Sequence, residues 1–253
     1  MRAAATQVVT LLAALAVWAA FTAANARVEL VNPLLLPTPA EVGRVAVDLA
    51  GSGELTRHVL TSLWRVVQGF GLAAVAALAL GVLVGLCVPL RQLAEPVIEF
   101  VRPIPPLAFL PMFLVWFGLG EASKVAFIGY TTFFPMFVAI AASVLRIDVV
   151  LLRAAASLGA SRADLVRRVM LPAALPGIVV ALRVGVGLAL FVIVGAEFMG
   201  ADAGLGHLIM EGRVFFNPPQ IVMGALLLGL LGSLVNTLLL AVERRLLGAR
   251  AAA

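Results

Sequence analysis

Long apolar runs, separated by short polar or basic interruptions, fill most of the 253-residue chain. Crossing a hydrocarbon core of about 30 Å takes about 20 apolar residues of helix. Six stretches reach or approach that length: 8–24, 69–88, 104–120, 125–145, 177–199 and 221–242. Pro103, Pro105, Pro106 and Pro111 crowd the first half of the third, and Pro135 interrupts the fourth. Proline frees a backbone carbonyl and kinks a helix, which a bilayer tolerates only where protein or a watery cavity re-satisfies that carbonyl. Each such kink reads equally as a packing device or as a hinge. The pattern predicts an all-α fold, a polytopic transmembrane helical bundle of about six spans.

Arg2, the first apolar run and the small residues Ala24-Asn25-Ala26 also fit a secretory signal with its cleavage site, but the run is long for one and reads better as a retained helix. Residues 25–68 carry Glu29, Glu41, Asp48 and Glu54 and are too polar to span. They are expected to form an external loop leading into a helix over 55–68, with Arg65 near the interface, where a long side chain can snorkel. The chain thus divides into an N-terminal helix and external segment (1–54), a transmembrane domain (55–243) and a tail (244–253).

Composition agrees. Hydrophobic residues make up 63% and charged residues 12%, against about 25% charged in an average soluble domain, so lipid must cover part of the surface. A net charge of +5 could suggest nucleic acid, but the arginines lie at the edges of apolar runs, where they fix orientation. One side receives Arg2, Arg91, Arg102, Arg146, Arg153, Arg162, Arg167, Arg168, Arg244, Arg245 and Arg250; the other receives Arg27, Arg44, Arg57, Arg65, Lys124 and Arg213. The first side is expected to be cytoplasmic, with both termini and the loop 146–176 inside. Cys87 is the single cysteine, so no intrachain disulfide can form.

Ala73, Ala77, Gly81 and Gly85 recur at four-residue spacing in the second span, and such a small-residue face lets helices approach closely. Gly224, Gly229 and Gly232 make a looser version, and no internal repeat is evident. The two histidines, His58 and His207, fall in the external segments. Zinc ligands are too few, and no Gly-rich phosphate loop ending in Gly-Lys-Ser/Thr appears. The chain is therefore expected to be no enzyme and unable to hydrolyse ATP itself.

The loop 146–176 reads as helix, turn, helix, stop. Residues 149–158 are good helix formers, and Gly159 can supply the left-handed residue that ends a helix. Ser161 is a natural N-cap, with Asp164 at the capping-box position. The next helix, 162–170, puts Leu165, Val166 and Val169 on one face and Arg162, Arg167 and Arg168 largely elsewhere; Pro172 and Pro176 are expected to end it. By periodicity alone, such a pair packs on its own spans, lies on the anionic leaflet or docks a soluble partner.

The residues sharpen that choice. Arg153-Ala-Ala-Ala-Ser-Leu-Gly159, nine residues, then Val169-Met-Leu-Pro172 resembles the EAA loop of ABC importer permeases, with Ala154, Ala155, Gly159, Leu171 and Pro172 matching. Arg153 departs, since glutamate is usual there. Leu36-Pro-Thr-Pro39, Ser62-Leu-Trp-Arg65, Arg102-Pro-Ile-Pro-Pro106, Trp116-Phe-Gly-Leu-Gly-Glu-Ala-Ser-Lys124 and Gly204-Leu-Gly206 look like the nitrate/sulfonate/taurine branch of that family.

The resemblance implies a type I ABC importer permease in a bacterial inner membrane, carrying a small anionic solute. It implies a separate ATP-binding subunit, a second permease subunit (a homodimer being expected) and an external solute-binding protein, with ATP and magnesium held by the partner and no cofactor by this chain. The partner interface would comprise Arg153, Ala154, Ala155, Leu158, Gly159, Ala160, Ser161, Asp164 and Leu165.

Glu197 lies near the outer end of the fifth span, where an unpaired, dry carboxylate costs at least ~2.5 kcal/mol. It marks a cavity or interface, or it sits at the headgroup boundary. Facing an anionic solute, it reads as a structural pair or gate. Arg183, nearer the inner end, could help an anion along, although snorkelling to cytoplasmic water is the preferred reading. Glu197, Phe198, Met199 and Arg183 are thus the pathway candidates. The competing class is an ion-coupled secondary transporter or channel, but carriers usually bury several ionisable groups near the midplane.

Overall fold

A computed structural model describes residues 2–251, with side chains at 6, 9–241 and 243. Every regular element among them is helical. Five helices are long and apolar enough to cross a membrane, and a bent pair brings the count to six. The chain divides into two compact units, 1–62 with 202–230 and 63–201 with 231–253.

The first unit holds α1 (Arg2–Val28) and α2 (Pro39–Gly51), the start of α3 (Glu54–Leu86), α10 (Leu205–Val214) and the start of α11 (Pro218–Ala251). Val42, Leu208 and Met223 form its small core, with Trp18, Leu49 and Leu55 against them. The motif Leu36-Pro-Thr-Pro39 is a helix start. Thr38 caps α2 and Pro39 opens it, while Glu41 closes a capping box by accepting from the Thr38 N–H at 2.7 Å. Those bonds hold the Glu41 carboxyl below the usual carboxylate range. Asn25 is buried and clasps Val31 through both backbone groups, at 2.7 and 2.9 Å.

In the second unit α6 (Glu121–Leu145) is the central helix. Its Phe127, Ile128 and Ile140 are fully buried, and α9 (Leu171–Phe198) and α3 pack on it. On α3, Ala77 is fully buried, while a Cβ on Gly81 would come within 2.9 Å of Ile140 and one on Gly85 within 2.7 Å of Val144. Gly177 and Gly185 of α9 face Ser143 and Met136 of α6 with no room for a side chain. Close backbone approach supplies packing where lipid removes the hydrophobic drive. Gly81→Leu should therefore overpack the α3–α6 contact and cost about 1–3 kcal/mol, read as a lowered Tm of the purified protein.

Three expectations about elements need correction. The external helix over 55–68 is not separate; α3 runs unbroken for 33 residues, through Gly69, which lies against Ile128 and Val125 of α6, and Gly71. The stretch 69–88 ends at Leu86, and Cys87 begins α4 (Val88–Val101), a helix absent from the hydropathy reading. The stretch 104–120 is not one straight span. A 3₁₀ turn (Pro106–Phe109) and α5 (Leu110–Phe117) form, with α4, a pair bent by 83° at Arg102-Pro-Ile-Pro-Pro106, where three prolines remove helical N–H donors. Of the tail 244–253, the backbone is helical to Ala251 within α11; its side chains lie outside the described residues.

Candidate functional site

The loop between α6 and α9 is built as a rigid corner. Asp148 caps α7 (Val149–Ser157) by accepting from the Val150 N–H at 2.8 Å. Gly159 follows with φ +86°, a conformation that favours glycine. Ala160 N–H bonds the Ala155 carbonyl at 3.1 Å and Gly159 N–H the Ala156 carbonyl at 3.0 Å, the paired bonds of a Schellman closure. Two residues on, the Ser161 hydroxyl accepts from Asp164 N–H at 3.2 Å and donates to the Asp164 carboxylate at 2.6 Å.

Caps on both sides thus leave Leu158 at the tip, 89% exposed. Arg153, Ala154, Gly159 and Ser161 are exposed with it, while Ala155, Ala160, Asp164 and Leu165 are half-buried. Leu165, Val166 and Val169 turn inward, and Arg162, Arg167 and Arg168 face out.

Here the predicted stop at Pro172 and Pro176 is overturned. The short α8 (Arg162–Asp164) widens into a π turn over Leu165–Met170 that runs straight into α9, with Pro176 inside it. A proline ring clashes with the carbonyl four residues back, and a widened turn just before Pro172 relieves that clash. The corner is therefore joined to a transmembrane helix with no flexible joint.

Glu197 is 1% exposed, and its carboxylate accepts from Arg65 Nη1 at 2.8 Å. The same guanidinium donates to both oxygens of Glu121, each at 2.6 Å. Arg65 is itself 2% exposed, so the expected snorkelling to the interface is wrong. Two carboxylates draw this side chain inward, from α6 and α9. Lys124 lies 3.9 Å from Glu121 and donates to the carbonyls of Leu119 and Gly120 at 2.8 and 3.1 Å. Two cations thus meet two carboxylates, joining α3, α6 and α9. Phe198 and Met199 are partly exposed beside Glu197. Arg183 stands apart in an ion pair with Glu243 of α11 at 2.7 Å, in place of the preferred snorkelling to water.

In the first unit, the N–H of Gly204 donates to His58 Nδ1 at 2.9 Å and that of Leu205 to Ser62 Oγ at 2.8 Å. Gly204 has φ +127° and opens α10. Ser62-Leu-Trp-Arg65 and Gly204-Leu-Gly206 are thus anchoring motifs, and His58 and His207 stack with ring centroids 5.8 Å apart.

Residues 69–248 match the family described as binding-protein-dependent transport system inner membrane component. The chain belongs to this family. The taurine transport system permease protein of Escherichia coli (strain K12) is 36% identical over 242 residues, 94% of this chain and 86% of that one. The putative aliphatic sulfonates transport permease protein of Bacillus subtilis (strain 168) is 33% identical over 217 residues, 86% of this chain and 79% of that one. A solved chain of the MetNI methionine ABC transporter, from inward-facing conformations, superposes with a TM-score of 0.67 at 23% identity, covering 76% of this chain and 95% of that chain. That likeness shows the type I importer permease fold. The protein is accordingly an inner-membrane permease subunit of an ATP-driven importer, working with an ATP-binding subunit and a solute-binding protein.

Proposed function

We propose that this permease imports a small organic sulfonate of the taurine type, as one of two identical copies, and couples to its ATP-binding subunit through the corner at 153–165. The exposed Leu158 carries the coupling reading. A large aliphatic side chain at 89% exposure, fixed between a Schellman closure and an N-cap, is a rigid apolar knob suited to a cleft in a soluble partner. Arg153 beside it has no carboxylate partner among the described residues, so at this position the docking surface offers a cation where relatives of the resemblance carry glutamate. The positive-inside count puts this loop and both termini in the cytoplasm. The relatives' taurine and sulfonate names support the solute class.

The Glu197 pair is then structural, since a carboxylate already satisfied by Arg65 makes a poor ligand for an anion. Reconstituting the permease with its ATP-binding subunit and solute-binding protein in liposomes should give taurine uptake that needs ATP and the binding protein. Uptake driven by an ion gradient without ATP would overturn the reading.

A further inference from the structure

The second unit has an open-sided cavity of about 920 Å³ bordered by α4, α6, α9 and the bend after α4. It follows α6 from Tyr130 to Arg146, which at 1.5 Å per residue is about 24 Å of helix, most of a ~30 Å hydrocarbon core. Its wall is mainly apolar, and among the described residues no Asp or Glu lines it. Two arginines do: Arg102, where α4 gives way to the bend, and Arg146, at the C-terminus of α6.

Hydrogen-bond donors on this wall are few. Thr131 spends its hydroxyl proton on the Phe127 carbonyl at 2.9 Å, and Ser143 spends its own on the Ala139 carbonyl at 2.7 Å. The Tyr130 hydroxyl and the two guanidiniums remain unspent. On the helices of this unit that enter the membrane or flank it, three other arginines are neutralised locally: Arg91 by Glu95 at 3.5 Å, Arg168 by Asp164 at 3.2 Å and Arg183 by Glu243 at 2.7 Å. Among the described residues, Arg102 and Arg146 have no such carboxylate. The nearby Asp148 is engaged in capping α7.

Arg102 and Arg146 are exposed at the rim of this apolar cavity, and uncompensated cations at the mouth of an apolar cleft raise the local concentration of anions there. Rings or pairs of Arg are how protein pores favour anions over cations. We infer that this cavity is an anion-selective compartment, in which Arg102 and Arg146 draw in a small sulfonate-class anion by charge. The inference rests on the importer reading for the solute's class, but not for the cavity's selectivity.

The test uses the assembled permease and ATP-binding subunit in lipid nanodiscs, with Cys87→Ser and Ala139→Cys placing one thiol on the cavity wall. Modification of the permease is timed with three methanethiosulfonate reagents, bearing a sulfonatoethyl, a trimethylammonioethyl or a neutral methyl group. Rates are divided by those with a free thiol in solution and then by that of the neutral reagent. The sulfonate reagent should react about tenfold faster than the cationic one. Arg102→Gln with Arg146→Gln should bring the ratio to about one while the neutral rate stays unchanged. An equal ratio in the parent, a preference that survives in the double variant, or a thiol closed to the neutral reagent would overturn the inference. Loss of preference in the double variant upholds it even where the parent complex fails to take up taurine, which counts against the solute assignment alone.

Discussion

Arg65→Ala should destabilise the permease by about 3–5 kcal/mol, the cost of breaking a buried ion pair from one side. The reason lies in what is left behind. Glu197 is 1% exposed and bonds Arg65 at 2.8 Å, so removing the guanidinium takes the cation away from a buried carboxylate. Glu121, with a side chain 62% exposed, can turn to solvent and keeps Lys124 nearby, so it contributes less to the loss. The asymmetry makes a double-mutant cycle informative. Arg65→Met with Glu197→Gln removes both buried charges and should recover most of the stability, whereas Arg65→Met with Glu121→Gln should recover little. Thermal unfolding of the detergent-purified complex reads all of these variants. Equal Tm values for Arg65→Ala and the parent would show that the three helices are held here by apolar packing alone.

This cluster also shows where sequence reasoning stopped. Glu197 was visible as an ionisable group in an apolar run, and the physical cost of burying it pointed to a partner. Its partner was not visible. Arg65 lies 132 residues away from it and 56 from Glu121, and in a segment with four acids and three other arginines it looks like one more interface charge. Lys124, one of the charges assigned to the external side, donates to the carbonyls of Leu119 and Gly120. The signal that could have joined them is that Arg65, Glu121 and Glu197 all fall within or beside apolar helix, where unpaired charge is costly.

Local chemistry was more legible. Gly159 and Ser161 announce a helix end and a helix start by residue type, and both appear as such, with φ +86° at the glycine. The Gly81–Gly85 spacing announced a helix contact but not its partner, which turned out to be α6. Two features escaped for opposite reasons. α4 carries Arg91, Glu95 and Glu99, so a hydropathy window passes over it, although Arg91 and Glu95 stand four apart as helix neighbours do. Pro172 looked like a stop because its usual effect is to break a helix. The π turn before it is a tertiary accommodation that no local rule foretells.

That accommodation bears on coupling, and the largest functional effect is expected there. Inserting Gly-Ser between Ala160 and Ser161 should abolish ATP-driven uptake, by a hundredfold or more, on the order of the losses seen when a positioned contact is displaced by about an ångström. Basal ATPase activity, membrane insertion and Tm should stay near the parent values. The insertion lies in an exposed turn and leaves both flanking elements intact: α7 keeps its Asp148 cap and Schellman closure, and the Ser161–Asp164 pair still opens the next helix. What changes is the path between them. In the native chain α8 passes through the π turn into α9 without a break, so a displacement of Leu158 must move a transmembrane helix. Two flexible residues make that link slack. If uptake per ATP hydrolysed is unchanged by the insertion, then force enters the membrane helices elsewhere than through this corner.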